Sequence, residues 1–259
     1  MDILEKIVLH KKKEVTLLKQ QFSTKDFENS LYFERKTFSL QKRIQDPNSH
    51  GIIAEFKRKS PSKGVINDFS KPEDVIPLYK EAGVAGVSIL TDFNFFGGSV
   101  DDVLSVRPLV DIPILRKEFI VDEFQIIQAK AIGADAILLI AECLTKEEVA
   151  AFSKCAQSLY LEVLLEIHSE KMLDKINNHL NIIGVNNRNL KTFKVNITQS
   201  LELFSKIPIK FAKISESGVS DLSEIRTLQK VGFDGFLIGE NFMKTQNPGE
   251  ACINFIKNI

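Results

Sequence analysis

The chain has 259 residues, is 44% hydrophobic and 26% charged, and balances 34 basic against 34 acidic side chains. Such neutrality argues against bulk electrostatic binding to nucleic acid or to an anionic membrane surface, and no apolar run approaches the roughly 18 residues a membrane helix needs. Length alone admits one large domain or two small ones, but a single α/β barrel would use nearly all of it.

Residues 1–45 read as helical, because Ile3, Ile7, Val8, Val15 and Leu18 recur at helix spacing among charges. The opening Met1-Asp2-Ile3-Leu4-Glu5 lacks an apolar h-region, so no signal peptide is expected there. The basic run Lys11-Lys12-Lys13 reads as a solvated helix face. After Pro47-Asn48-Ser49 the pattern changes to short β-branched or aliphatic runs: Gly51–Phe56, Gly86–Leu90, Ile112–Leu115, Ala136–Ile140, Glu162–Leu165, Ile182–Val185, Ile209–Ile214 and Gly235–Ile238. Their centres lie about 20 to 35 residues apart, which suits strand, loop, helix, loop repeated eight times. Apolar strands without strict alternation are what a parallel sheet buried on both faces requires.

Between the strands, Pro72–Ala82, Phe124–Ile132, Lys146–Ser158, Glu170–Lys175 and Ser223–Lys230 are helix candidates, with Gly83, Gly133 and Gly232 closing helical stretches. An open doubly wound sheet would need fewer strands, and no GxGxxG follows the first one. The pattern predicts an α/β fold, a TIM (β/α)₈ barrel with an N-terminal helical extension, in one domain over residues 1–259. The extension covers residues 1–45 and the barrel residues 46–259. The three cysteines, Cys143, Cys155 and Cys252, show no CxxC spacing and read as reduced thiols of a cytoplasmic protein.

Function in such a barrel gathers at the C-terminal ends of its strands. Strand one ends Ala54-Glu55-Phe56-Lys57, placing Glu55 and Lys57 on one side of the chain. Strand three runs out through Arg116-Lys117-Glu118, strand five carries Glu166 and His168, strand six ends Asn186-Asn187-Arg188, strand seven Glu216-Ser217-Gly218, and strand eight Gly239-Glu240. Glu166 stands out because its neighbours are apolar and an unpaired buried carboxylate is costly. Each of these residues taken singly also suits a solvated strand end, and His168, a plausible general base by type, reads rather as a loop residue. Together, two lysines, several carboxylates, an Asn and an Arg share one end of the predicted barrel. Ser60-Pro61-Ser62-Lys63-Gly64 offers hydroxyl and ammonium donors, and the glycines after strands seven and eight let backbone approach an anion. The expected ligand is a phosphorylated small molecule. His10, His50 and His179 show no metal-ligand spacing, so no metal is expected.

The stretch Ile53-Ala54-Glu55-Phe56-Lys57-Arg58-Lys59-Ser60-Pro61-Ser62-Lys63-Gly64 resembles the first-strand signature of the indole-3-glycerol phosphate synthase family. The resemblance continues through Leu90-Thr91-Asp92, Phe95-Phe96-Gly97-Gly98-Ser99, Leu115-Arg116-Lys117-Glu118-Phe119, Gly133 to Ile140, Gly184 to Leu190 and Glu216-Ser217-Gly218, essentially end to end. It implies a (β/α)₈ barrel that closes, decarboxylates and dehydrates 1-(2-carboxyphenylamino)-1-deoxyribulose 5-phosphate without a cofactor. By motif, Lys117 would be the general acid on the ketone oxygen and Glu166 a general base. Lys57 would hold the anthranilate carboxylate and assist dehydration, with Glu55 as its partner. Asn186 and Arg188 would orient substrate, and Phe96 would line the anthranilate pocket. Ser60, Ser217, Gly218, Gly239 and Glu240 would cradle phosphate, the last two through backbone, with the N-terminal helix packed over the catalytic face. Lys59, Glu118, Phe124 and Asn196 depart from the family's pattern, none at a catalytic position.

The chemistry agrees, since a developing oxyanion calls for a positioned ammonium and dehydration for an acid and a base together. A lysine crowded by another cation and partly desolvated would carry a lowered pKa. Phosphoribosylanthranilate isomerase chemistry would need a Cys/Asp pair at strand ends, and no cysteine lies at an early one. A non-catalytic binding barrel would leave gaps in the constellation. The chain is expected to act as a monomer.

Overall fold

A computed structural model describes residues 2–189, 192–219 and 221–259. Eight parallel strands close into a barrel in chain order: β1 (Ile52–Phe56), β2 (Gly86–Leu90), β3 (Ile114–Lys117), β4 (Ala136–Ile140), β5 (Glu162–Ile167), β6 (Ile182–Asn186), β7 (Ala212–Glu216) and β8 (Gly235–Ile238), which pairs back to β1. Helices α1 (Ile3–Gln21), α2 (Thr24–Glu28) and α3 (Leu40–Ile44) precede the barrel. Around it lie α4 (Pro72–Glu81), α5 (Phe93–Phe96), α6 (Val100–Val106), α7 (Glu123–Ala131), α8 (Lys146–Ser158), α9 (Thr198–Phe204), α10 (Leu222–Val231), α11 (Glu240–Met243) and α12 (Pro248–Ile256). A 3₁₀ turn over Glu170–Lys175 stands where the other connections carry a longer helix.

Strand residues alternate between two packed layers. Ile52, Ala54 and Phe56 face the helices, while Ile53, Leu115, Leu138, Leu164, Ile214 and Leu237 fill the barrel. The inward series therefore continues upward into Glu55, Lys117, Glu166, Asn186 and Glu216, and polar chemistry rests on an apolar floor.

Two strands sit further along than the apolar runs predict. Pro113 has no N–H to give the ladder, so β3 starts at Ile114 and carries on through Arg116 and Lys117. Ile209 is 94% exposed in a turn, where the Phe211 N–H donates to the Pro208 carbonyl, and β7 runs instead to Glu216. The extension is three helices with turns between them rather than one helical run. Leu190, at the end of the strand-six motif, lies outside the described residues.

The basic run departs most from expectation. Lys12 and Lys13 are exposed, but Lys11 is buried. Its Nζ lies 2.5 Å from Glu14 Oε2, 2.9 Å from Asp92 Oδ2 and 3.1 Å from Glu118 Oε1. Burial alone would lower its pKa, but Glu118 and Asp92 outweigh it and hold the ammonium firmly protonated. Lys11 thus clamps α1 to the loops after β2 and β3, at the end of the barrel where the polar residues collect. Lys11→Met is expected to leave Asp92 without its ammonium partner and Glu118 with Arg116 alone, and to loosen α1 by about 3 kcal/mol or more, read as faster amide hydrogen exchange in α1. Unchanged exchange there would show that apolar contacts alone hold the helix.

Candidate active site

A cavity of about 750 Å³ opens at the C-terminal end of the barrel. All twelve residues singled out from the sequence line it: Glu55, Lys57 and Ser60 from β1 and its loop, then Phe96, Lys117 and Glu166. Asn186 and Arg188 join from β6, Ser217 and Gly218 from β7, and Gly239 and Glu240 from β8.

Lys117 is central. Its Nζ donates to Glu216 Oε2 at 2.8 Å and lies 3.6 Å from both Glu55 Oε2 and Glu166 Oε2. Glu55 also holds Lys57, with Nζ 2.7 Å from Oε1. Two glycines make room for these carboxylates. A Cβ at Gly184 would stand 2.1 Å from Glu216 Oε1, and one at Gly239 would stand 2.6 Å from Glu55 Oε1.

Two ammonium groups and three carboxylates in one buried cluster leave one negative charge in excess. Burial opposes ionisation of Glu55, but Lys57 and Lys117 outweigh it and hold its carboxyl below the usual range. Burial pushes the Glu216 carboxyl up to about 7, with Lys117 opposing and Glu166 and Glu55 adding to the rise. Its Oε1 has no hydrogen-bond partner among the described residues, which leaves that oxygen free to carry the proton. Lys117 does not carry the lowered pKa expected of a crowded lysine. Burial lowers it, but Glu216, Glu55 and Glu166 raise it further, because its neighbours are carboxylates rather than cations.

The sequence marks Glu216 as a strand end and assigns it no role. The structure makes it the nearest partner of Lys117, although β3 and β7 stand far apart in the chain. Its signal in the sequence was its place at a strand end among apolar text.

The walls differ by strand of origin. The loops after β6, β7, β8 and β1 adjoin around the barrel and supply the polar side. Ser217 (φ 62°) and Gly218 (φ 75°) are both left-handed, a costly conformation for Ser217 that turns the chain sharply beneath the cavity. Glu240 extends over the mouth, with Oε1 3.5 Å from Lys63 Nζ and Oε2 3.5 Å from Arg188 Nη2. The opposite wall is apolar. Phe96 packs against Phe119 with ring centroids 5.9 Å apart, and Ile3, Leu4 and Ile7 of α1 close over them. Lys59 turns away, its Nζ donating to the Asn94 carbonyl at 2.8 Å. His168 follows β5 directly, and its Nε2 lies 3.4 Å from Glu166 Oε1. No three His, Cys, Asp or Glu side chains among the described residues form a group able to hold a metal ion.

The fold and site define a (β/α)₈ barrel with an acid–base centre at its C-terminal mouth. A family model described as indole-3-glycerol phosphate synthase matches residues 4–255. The indole-3-glycerol phosphate synthase of Bacteroides thetaiotaomicron is 48% identical over 100% of this chain and 99% of its own length. That of Chloroherpeton thalassium is 41% identical over 95% of this chain and 96% of its own. The chain belongs to the indole-3-glycerol phosphate synthase family. Among solved structures, a mutant tryptophan synthase α-subunit from Pyrococcus furiosus superposes with a TM-score of 0.62 over 82% of this chain and 99% of that one. At 15% identity that likeness concerns the fold alone.

Proposed function

We propose that the chain converts 1-(2-carboxyphenylamino)-1-deoxyribulose 5-phosphate into indole-3-glycerol phosphate, CO₂ and water, a carboxy-lyase step of tryptophan biosynthesis. The carrying observation is Lys117, an ammonium held protonated by three carboxylates at the floor of a cavity with one polar and one apolar wall. The apolar wall suits the anthranilate ring, with Phe96 against it. The backbone and hydroxyls of Ser60, Ser217, Gly218, Gly239 and Glu240 suit the phosphate. Arg188 and Asn186 orient the chain between the two ends, and Lys57 takes the carboxylate.

The ring carbon bearing the carboxylate attacks the ketone carbon, and the ketone oxygen takes a proton from Lys117. The C–COO⁻ bond then breaks, its electrons restore the aromatic ring, and CO₂ leaves. The new hydroxyl takes a second proton, from Lys57, and leaves as water while Glu166 removes the adjacent C–H proton. A site built for this sequence needs two acids and one base within reach of one substrate, and Lys117, Lys57 and Glu166 supply them. We also read the chain as one domain, acting as a monomer in the cytoplasm. No helix among the described residues is long and apolar enough to cross a membrane.

The cluster charge sets a pH dependence. Below pH 7 a protonated Glu216 leaves Lys57, Lys117, Glu55 and Glu166 in balance, and above pH 7 its ionisation makes the cluster anionic. KM for the anionic substrate is therefore expected to rise as pH climbs through 7, and Glu216→Gln is expected to flatten that rise. Since the folded pKa lies above the ordinary carboxyl value, Glu216 also lowers folding stability progressively from about pH 4.5 to 7, which denaturant titration of the same pair checks. A KM profile identical in the two proteins would remove Glu216 from this role. The reaction itself is tested by measuring CO₂ released per substrate consumed, expected at one to one; consumption without CO₂ would contradict the proposal.

A further inference from the structure

The proposed reaction takes up one proton per turnover, and the inference below rests on that reading. Two protons pass to the ketone oxygen, which departs as water, and one proton is removed from carbon. The difference must come from solvent. Substrate bound in the main cavity, which Glu166 lines, would stand between that carboxylate and the cavity's mouth and obstruct a return route past it.

A second cavity of about 520 Å³ lies beside the first, between the start of α1 and the loops after β4 and β5. Asp2, Glu5, Glu142 and His168 are among its lining residues. Glu166 lines the first cavity and His168 the second, while the distance between Nε2 and Oε1 is only 3.4 Å. The His168 ring is 10% exposed, yet neither ring nitrogen has a hydrogen-bond partner among the described residues. A histidine retained for structure would be expected to spend both nitrogens on partners, as buried polar groups nearly always do. Its backbone is fixed, since the Gln199 side chain donates to the His168 carbonyl. The charged groups facing the ring are Glu166, Glu142, Glu216 and Lys117. Burial holds the imidazole below its ordinary pKa, so it rests neutral near pH 7 and is free to accept a proton.

We propose that His168 is a proton relay, carrying protons from the second cavity to Glu166 and so to Lys117, which lies 3.6 Å beyond. The ring takes a proton from a hydronium ion or buffer acid in the second cavity and becomes imidazolium. It then gives a proton to Glu166 Oε1 and returns to the neutral ring. Glu166 already collects the proton removed from carbon, and that proton together with the relayed one restores Lys117 and Lys57. No electrons change hands, and each cycle closes with one proton drawn from solvent. His168 touches no substrate in this scheme and acts through Glu166.

The relay works after CO₂ has left, which gives it a kinetic signature. Wild-type protein and His168→Gln are compared in single-turnover reactions, with enzyme in excess, and in the steady state. The variant is expected to form its first product at close to the wild-type rate while its steady-state kcat falls roughly a hundredfold, a loss at the low end of what one proton-transfer group contributes. Added imidazole is expected to restore kcat in the variant and to leave wild type unchanged. An unaltered kcat would overturn the relay, as would single-turnover and steady-state rates falling together with no imidazole rescue. Should His168→Gln fail to fold, His168→Asn carries the same readings. A wild-type protein that makes no indole-3-glycerol phosphate would fail the reading of function itself, a result distinct from an active wild type with an indifferent variant.

Discussion

Lys117→Ala is expected to lower kcat by about 10²–10⁴-fold with KM changed far less. The ammonium sits at the end of an inward-facing row, over apolar residues that exclude water, where a fixed charge acts at low dielectric. Three carboxylates keep it protonated across the working pH range, so in the proposed reaction it would meet the developing oxyanion first as a charge. The proton moves once the oxygen has become the stronger base. This differs from the acid of lowered pKa that crowding alone suggests, and it predicts that the alkaline limb of kcat does not report deprotonation of Lys117. Binding should survive, because the residues proposed to hold the phosphate and the carboxylate come from other strands. Steady-state kinetics on the folded variant checks this, and near-normal turnover would remove Lys117 from the role.

The second large effect is on stability. Asp135, fully buried just before β4, accepts from Arg35 Nη2 at 2.6 Å, the Phe38 N–H at 2.8 Å, Arg107 Nη1 at 2.8 Å and the Ile114 N–H at 2.8 Å. One carboxylate thereby joins the N-terminal extension, the helical segment after β2, and β3 at the base of the barrel. Asp135→Ala leaves the Arg107 guanidinium buried without its counter-ion and two backbone donors without acceptors. The expected loss is about 3–5 kcal/mol, or roughly 10 °C in Tm for a chain of this size. A loss under about 1 kcal/mol would mean that the base repacks around Arg107. The catalytic mouth lies at the other end, so kcat of the folded fraction should hardly change.

The barrel was legible because each of its strands is buried on both faces and leaves an unbroken apolar run, as Ala136–Ile140 does. Strand ends were legible less well. Arg116, Lys117, Ser215 and Glu216 interrupt the apolar text while continuing the ladder, their side chains turned to interior or site. Strand-end position drew out most of the candidate residues, the family resemblance added Phe96 and their roles, and the structure brings all of them to one cavity. What a linear reading missed depends on partners distant in the chain. Lys11 reads as one of three solvated lysines until Asp92 and Glu118 are placed around it. The direction of the Lys117 shift and the weight of Glu216 likewise follow from strands that meet only when the barrel closes.

The central claim is tested most directly by incubating the purified protein with 1-(2-carboxyphenylamino)-1-deoxyribulose 5-phosphate and following the fluorescence of the indole product. The expected result is continuous formation of indole-3-glycerol phosphate by wild type and a trace in Lys117→Ala. Folded wild-type protein that binds the substrate and yields no indole fluorescence would contradict the assignment of this site.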